Sequence, residues 1–310
     1  MQRIIIICGP TGVGKSAAAV ALAKRFGGEI VSADSQSVWQ GFDIGTAKPS
    51  AAERLAVSHQ LIDVAGPSEK FDAARFVKLA DAAIEGVAAR GAVPLVVGGT
   101  GMYLRMLVHG ICEAPPRDAR VRRIIEKEVE ERGVRELHEE LRLIDPESAL
   151  KISPGDTSRI VRALEIFRVT GAPASAVRGR HAFGGLRYDA LKIGLEVERA
   201  ELYRRIEERV DRMMEQGLVE EVRLLLERYD PSVQPFAAVG YKEIVAHLKG
   251  EYGLEDAVKL VKQHTRNLAK RQLTWFRADP DIRWFDPGDM DSIADLVKEF
   301  LIGSSPRTGS

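Results

Sequence analysis

The chain has 310 residues and balances 45 Lys and Arg against 45 Asp and Glu, so no global field draws it toward nucleic acid; any such partner must be held by local patches. Its 45% hydrophobic and 29% charged content is that of a globular protein with room for a sizeable core, either one large domain or a core with a smaller insertion. Cys8 and Cys112 are the only cysteines and no C-x-x-C or His pair accompanies them, which excludes a disulfide framework and a zinc site. No apolar stretch approaches the roughly 20 residues that span a membrane, and the first strand begins without a charged leader, so a cytoplasmic protein with no membrane partner is expected.

Ile4 to Cys8 form a short apolar run, the pattern of a buried strand, and the Ala-rich stretch Ala17 to Lys24 is a good helix former. Between them stand Gly9, Pro10, Thr11, Gly12, Val13, Gly14, Lys15 and Ser16, which satisfy G-x-x-x-x-G-K-[ST] in full. Glycines let the backbone curl so that successive N–H groups point inward. The helix N-terminus adds its positive end, Lys15 a mobile cation, and Ser16 an oxygen for Mg²⁺. The loop is therefore expected to bind a di- or triphosphate, but it does not say which ester.

Strands and helices then alternate, which predicts a mostly parallel sheet with crossover helices. Glu29 to Ala33 reads as the second strand, Leu61 to Val64 as a short strand, Ala73 to Arg90 as a helix and Val93 to Val97 as a strand running into Gly98-Gly99-Thr100-Gly101. Ligands collect beyond the carboxyl ends of such strands, which marks the phosphate loop, Asp34 and the Gly98 to Gly101 turn. From about 116 to 187 no strand is evident and the sequence is charged and helical, with Asp145-Pro146 and Asp156 as helix starts. Ile160, Leu164 and Phe167 face a core there while Arg159 and Arg162 point elsewhere. The predicted organisation is a P-loop α/β core at 1–115 and 188–310 with a helical insertion at 116–187. Leu191 to Val197 resumes the strand pattern. Leu202, Ile206, Val210 and Met213 form a helical stripe ending at Gly217, Leu218 to Tyr229 and Ala257 to Phe276 are further helices, Ile282 to Phe285 a last strand, and Gly303 to Ser310 a disordered tail.

Two stretches are locally basic. Lys151 to Arg187 carries Lys151, Arg159, Arg162, Arg168, Arg178, Arg180 and Arg187 against Asp156 and Glu165; Thr265 to Arg277 carries Arg266, Lys270, Arg271 and Arg277 with no acid. Aligned cations can track a sugar-phosphate backbone, and Trp275 or Phe276 can hold an unstacked base. Spacing alone favours the plainer reading, a solvated helix face with Trp275 in the core. Asp34 fits two roles: the acid that holds a metal, or a base aimed at an acceptor.

Several motifs taken in order resemble the tRNA dimethylallyltransferase (isopentenyl-tRNA transferase) family of bacterial type. They are the phosphate loop, Asp34-Ser35, Asp43 to Pro49, Leu61-Ile62-Asp63, Gly98 to Leu104, Arg162 to Glu165, Val239 to Glu243 and Ala269 to Arg277, spread over nearly the whole chain. The resemblance implies transfer of a dimethylallyl group from dimethylallyl diphosphate to the exocyclic amine of the adenine 3′ of the anticodon, with Mg²⁺ near Ser16 and release of diphosphate. It implies Asp34 as base, with Lys15, Ser16, Thr100 and Arg205 near the diphosphate or reacting centre. It reverses the reading of the basic patches: Asp34, Ser35, Gln36, Ser37, Arg159, Arg162, Gly240, Tyr241, Lys242, Lys270, Arg271, Gln272, Trp275 and Arg277 are expected to contact the tRNA anticodon stem-loop or shape its channel, with the protein a monomer. Ser37, Trp39, Ser58 and Thr157-Ser158 depart from the family pattern, and no appended zinc finger is present. The rival readings are an adenylate isopentenyltransferase acting on free nucleotides and a P-loop nucleotide kinase.

Overall fold

The computed structural model describes residues 1–111, 115–180 and 185–303; Cys112, the tail beyond 303 and the side chains of Arg178 and Arg180 lie outside the described residues. Strands β1 (Arg3–Cys8), β2 (Gly28–Ser32), β3 (His59–Gln60), β4 (Val93–Gly98), β5 (Asp189–Leu195) and β6 (Arg283–Phe285) form one sheet in the order β3-β2-β4-β1-β5-β6, every pairing parallel. Ile4, Ile5 and Ile7 are fully buried because β1 lies between β4 and β5 with both faces covered, which is why its sequence is a continuous apolar run and not an alternation. Helix α1 (Lys15–Phe26) leaves the phosphate loop and stops at left-handed Gly27, whose N–H bonds to Ala23 O. Helices α2 (Ala51–Ala56), α3 (Ala73–Ala89) and α4 (Gly101–His109) complete the first half.

The strand expected at Leu61 to Val64 is displaced. The paired residues are His59 and Gln60, and Leu61 and Asp63 turn left-handed at φ 64° and 58°. The cause is electrostatic: this turn delivers the Asp63 carboxylate to Lys48 and to Arg54, 2.9 Å away, which a continued strand would not do.

The chain divides into two compact units, 1–108 with 187–303 of the described residues, and 109–186. The second is built from the remainder of α4 and from α5 (Ala119–Arg132), α6 (Val134–Ile144), α7 (Pro146–Lys151), α8 (Thr157–Thr170) and α9 (Ala174–Arg180), around Ile125, Leu137, Leu141, Ile160 and Leu164. Asp145 and Asp156 cap α7 and α8 as their sequence positions imply. Arg162, read as pointing away from the core, instead folds over the fully buried Glu165 at 3.0 Å and donates to Pro115 O at 2.6 Å. A buried carboxylate demands a charged partner, and that demand outweighs solvation of the arginine. Arg168 is likewise committed, to Glu128 and Glu140.

Back in the first unit, α10 (Arg199–Glu215) buries the stripe Leu202, Ile206, Val210 and Met213; α11 (Leu218–Leu226), α12 (Tyr241–Leu248), the long α13 (Leu254–Arg277) and α14 (Met290–Ile302) follow. Helix α13 packs on α10 and α12, and this arrangement brings the basic segment beside the carboxyl ends of the strands.

Candidate active site

The phosphate loop has the conformation its glycines allow. Gly12 and Gly14 sit at φ 83° and 111°, and a Cβ on Gly9 would stand 2.5 Å from Leu195 O, so the loop rests directly on the end of β5. Lys15 Nζ donates to Pro10 O at 2.7 Å. Burial pulls the Lys15 pKa down to about 8, with Asp34 opposing the shift and Arg209 adding to it.

Asp34 follows β2 at the carboxyl edge of the sheet. Its Oδ1 accepts the Gln36 N–H at 2.8 Å, and Thr100 Oγ1 accepts the Ser35 N–H at 3.1 Å, so Thr100 steadies the acidic loop from across the sheet edge. Ser37 is buried with its hydroxyl 2.9 Å from that of Ser32, and both border the small cavity beside Lys15 and Ser16.

Gln272, one of the residues expected to contact the tRNA or shape its channel, borders the cavity beside Asp34. Its Oε1 accepts the Thr11 N–H at 2.8 Å and its Nε2 donates to Gly99 O at 3.0 Å, so it ties the phosphate loop to the turn after β4. The glycines of that turn serve close approach: Cβ atoms on Gly98, Gly99 and Gly101 would lie 2.2, 2.4 and 2.1 Å from Ala33 O, Gln272 and Trp275. The turn is bare because β2 and α13 close upon it.

Three adjoining cavities share these residues. One of about 450 Å³ is bordered by Asp34, Thr100, Arg209, Arg271 and Trp275. A small one of about 80 Å³ is bordered by Lys15, Ser16 and Asp34, and a third of about 680 Å³ by Ser16, Arg209 and Arg212. Asp34 thus stands between the phosphate loop and the cavity below α13.

Arg205 is not in this set. It donates to Glu201 at 2.6 Å and to Val13 O at 3.3 Å, buttressing the phosphate loop from behind. Arg209, one turn later, borders the cavities and has no ion-pair partner among the described residues. The sequence places both on one face of α10, and only the packing of the helix separates them.

Tyr241 is fully buried, and its hydroxyl donates to Glu221 at 2.6 Å. The same carboxylate accepts the backbone N–H groups of Asp43, Ile44 and Gly45. Lys48 closes the other side of this loop, paired with Asp43 at 2.6 Å and with Asp63. The Asp43 to Pro49 motif is therefore a clasp around the cavity wall, and Tyr241 shapes it from within the core. The Gly240 N–H is held by Glu243 at 2.7 Å, while Lys242 is exposed.

On α13 the aromatic pair separates: Phe276 is core, whereas Trp275 is 42% exposed and borders the Asp34 cavity. Lys270 and Arg271 are exposed with no ion pair among the described residues; Arg277 is paired with Glu196 at 2.9 Å and Arg266 with Glu207 at 2.5 Å. Arg159, in the second unit, is exposed and 3.2 Å from Asp156.

Among the described residues no group of three or more His, Cys, Asp or Glu side chains gathers as a metal cage. The oxygens beside the phosphate loop, Ser16 Oγ and the Asp34 carboxylate, instead fit a hard cation that takes its other ligands from phosphate and water.

The sequence model of the IPP transferase family matches residues 37–279, and a tRNA dimethylallyltransferase of Geobacter metallireducens is 49% identical over 300 residues, 96% of this chain and 97% of the relative. The chain belongs to the tRNA dimethylallyltransferase family. Solved structures from that family agree with the fold. A tRNA isopentenylpyrophosphate transferase from Bacillus halodurans superposes with a TM-score of 0.73 at 39% identity, covering 97% of each chain. A eukaryotic dimethylallyltransferase acting on tRNA gives 0.80 at 30% identity over 96% of this chain and 78% of that one. No helix among the described residues is long and apolar enough to cross a membrane.

Proposed function

We propose that this dimethylallyltransferase prenylates the exocyclic amine of the adenine 3′ of the anticodon, with Asp34 as the base and the phosphate loop as the diphosphate cradle. The observation that carries this reading is the position of Asp34, shared by the cavity of Lys15 and Ser16 and by the cavity of Arg271 and Trp275. A donor diphosphate on the loop and an adenine entering beneath α13 would meet at this carboxylate. The carbon–nitrogen bond forms as the carbon–oxygen bond breaks; the diphosphate leaves with the electron pair and the amine proton passes to Asp34 Oδ2. Oδ1 is engaged by the Gln36 N–H, which fixes the orientation of the other oxygen. The loop N–H groups other than that of Thr11, together with Lys15 and Arg209, stabilise charge on the leaving group. Mg²⁺ bound through Ser16 would supply further neutralisation of that charge.

An adenine stacked in an anticodon loop has to be flipped out to reach such a depth. The free cations Lys270 and Arg271, exposed Trp275 and the exposed Arg159 and Lys242 support a role in holding the surrounding RNA. Replacing Arg271 by alanine should weaken tRNA affinity about tenfold near physiological salt and lower the slope of log K against log salt by about one, as loss of a phosphate contact does. An unchanged slope would return Arg271 to a solvated helix face.

Lys15 makes donor binding pH-dependent. The diphosphate binds the protonated amine, whose free-state pKa is about 8, so KM for the donor should be level below that pH and rise about tenfold per unit above it. A KM flat to pH 9.5 would mean either that the amine of the free loop stays protonated through this range or that Lys15 takes no part in diphosphate binding, and Lys15→Met, which keeps KM only in the second case, separates the two.

The test of the whole reading is an assay with labelled dimethylallyl diphosphate, Mg²⁺ and unmodified tRNA, with free AMP and ATP in parallel. Label confined to tRNA upholds it. Label in AMP would indicate an adenylate prenyltransferase, and ATP turnover without transfer a kinase.

A further inference from the structure

Helix α10 is rich in charge, and almost all of it is committed. Arg204 pairs with Glu201 and Glu208, Arg205 with Glu201, and Arg199 donates to the Tyr203 hydroxyl at 3.1 Å. Glu207 and Asp211 are taken by Arg266 and Lys262 of α13 at 2.5 and 2.7 Å. Three guanidinium groups of this helix form no ion pair among the described residues: Arg199, which is held by the Tyr203 hydroxyl, and Arg209 and Arg212, one turn apart; Glu215, three residues beyond Arg212, forms none with it.

Both border the cavity of about 680 Å³. The other charged groups on its wall neutralise one another or are held elsewhere: Asp43 by Lys48, Arg54 by Asp63, and Glu53 by the backbone N–H and hydroxyl of Ser50. With those pairs cancelled, Arg209 and Arg212 outweigh the single charge of Glu53, and the excess on the wall is positive. Two like charges one helical turn apart repel, an arrangement that an anion between them relieves.

Ser16 borders this cavity and the small one that holds Lys15, while Arg271 and Trp275 border neither. We propose that Arg209 and Arg212 form an anion station for inorganic diphosphate, in which Arg212 receives the leaving group as it departs from the phosphate loop. This rests on the prenyl-transfer reading for the source of the diphosphate, but the binding itself does not. The station gives the product a path that avoids the acceptor cavity, so that diphosphate and modified base leave by separate faces of Asp34.

The experiment is calorimetric titration of the full-length protein with inorganic diphosphate and Mg²⁺, alongside inhibition of prenyl transfer by diphosphate against the donor. Arg212→Gln should raise both the dissociation constant and the inhibition constant about five- to tenfold, the loss of one charge-assisted contact, and Arg212→Lys should recover most of the affinity. Arg204→Gln removes an equal charge from the same helix away from the cavity and should stay within twofold of the parent. Diphosphate affinity of Arg212→Gln within twofold of the parent, or an equal loss in Arg204→Gln, would overturn the proposal. If the parent binds diphosphate through Arg212 yet prenylates no tRNA, the station stands and the reading of the reaction falls; prenyl transfer with diphosphate binding indifferent to Arg212 gives the reverse.

Discussion

Asp34→Asn should lower kcat about 10²- to 10⁴-fold, the range for loss of a positioned base, while tRNA affinity stays within about twofold. Asparagine suits the test because its side-chain oxygen can still accept the Gln36 N–H that Asp34 Oδ1 now accepts at 2.8 Å, so the loop that carries Ser35 and Ser37 keeps its form. A carboxylate that served only to hold Mg²⁺ would behave differently. Its amide variant would regain most of its rate at raised Mg²⁺ concentration, because weaker metal binding can be offset by mass action. A lost base cannot be replaced that way. A rate that recovers with Mg²⁺ would therefore reassign Asp34, and equal loss of catalysis and tRNA binding would make it structural. Thr100→Val offers a control for position: it removes the acceptor of the Ser35 N–H without touching the carboxylate.

Arg209→Gln should cost about 10²- to 10³-fold in kcat/KM for the donor, the scale seen when one preorganised donor to developing negative charge is removed. The basis is its isolation: the guanidinium borders both the Asp34 cavity and the cavity beside Ser16, no carboxylate forms an ion pair with it among the described residues, and burial, with neighbouring Arg212, lowers its pKa while Asp34 opposes that shift. An unpaired cation in such a place is costly unless an anion completes it. The variant should accordingly be no less stable than the parent in denaturant, and the loss should appear in catalysis alone. Arg205→Gln should act in the opposite sense, mainly on stability, since Arg205 supports Val13 O from behind the loop and pairs with Glu201. If Arg205→Gln proves the more damaging to donor kinetics, the assignment between the two arginines is inverted.

Much of the site could be read without coordinates because its parts obey local rules. The phosphate loop, its strand and its helix are contiguous, and a glycine pattern that permits only one backbone path is legible wherever it occurs. Asp34 at a strand end, the helical stripe of α10 and the caps at Asp145 and Asp156 are likewise short-range consequences of periodicity and side-chain chemistry. The order of the remaining motifs was enough to indicate the family, since the Asp43 to Pro49 and Ala269 to Arg277 segments serve no general purpose of a phosphate loop.

What the tertiary structure decided was which member of each motif faces the chemistry. Gln272 and Tyr241 belong to segments expected to contact the tRNA or shape its channel; of the two, one locks Thr11 to Gly99 at the edge of the cavity and the other is buried beneath the Asp43 loop. Arg162 is drawn inward by a buried Glu165, and Leu61 leaves the strand so that Asp63 can reach Lys48. Arg205 and Arg209 share a helical face and differ only in what packs above them. In each case the deciding partner lies elsewhere in the fold: a residue's own spacing specifies its direction from the backbone, whereas its role depends on which charge or apolar surface the rest of the chain brings to meet it.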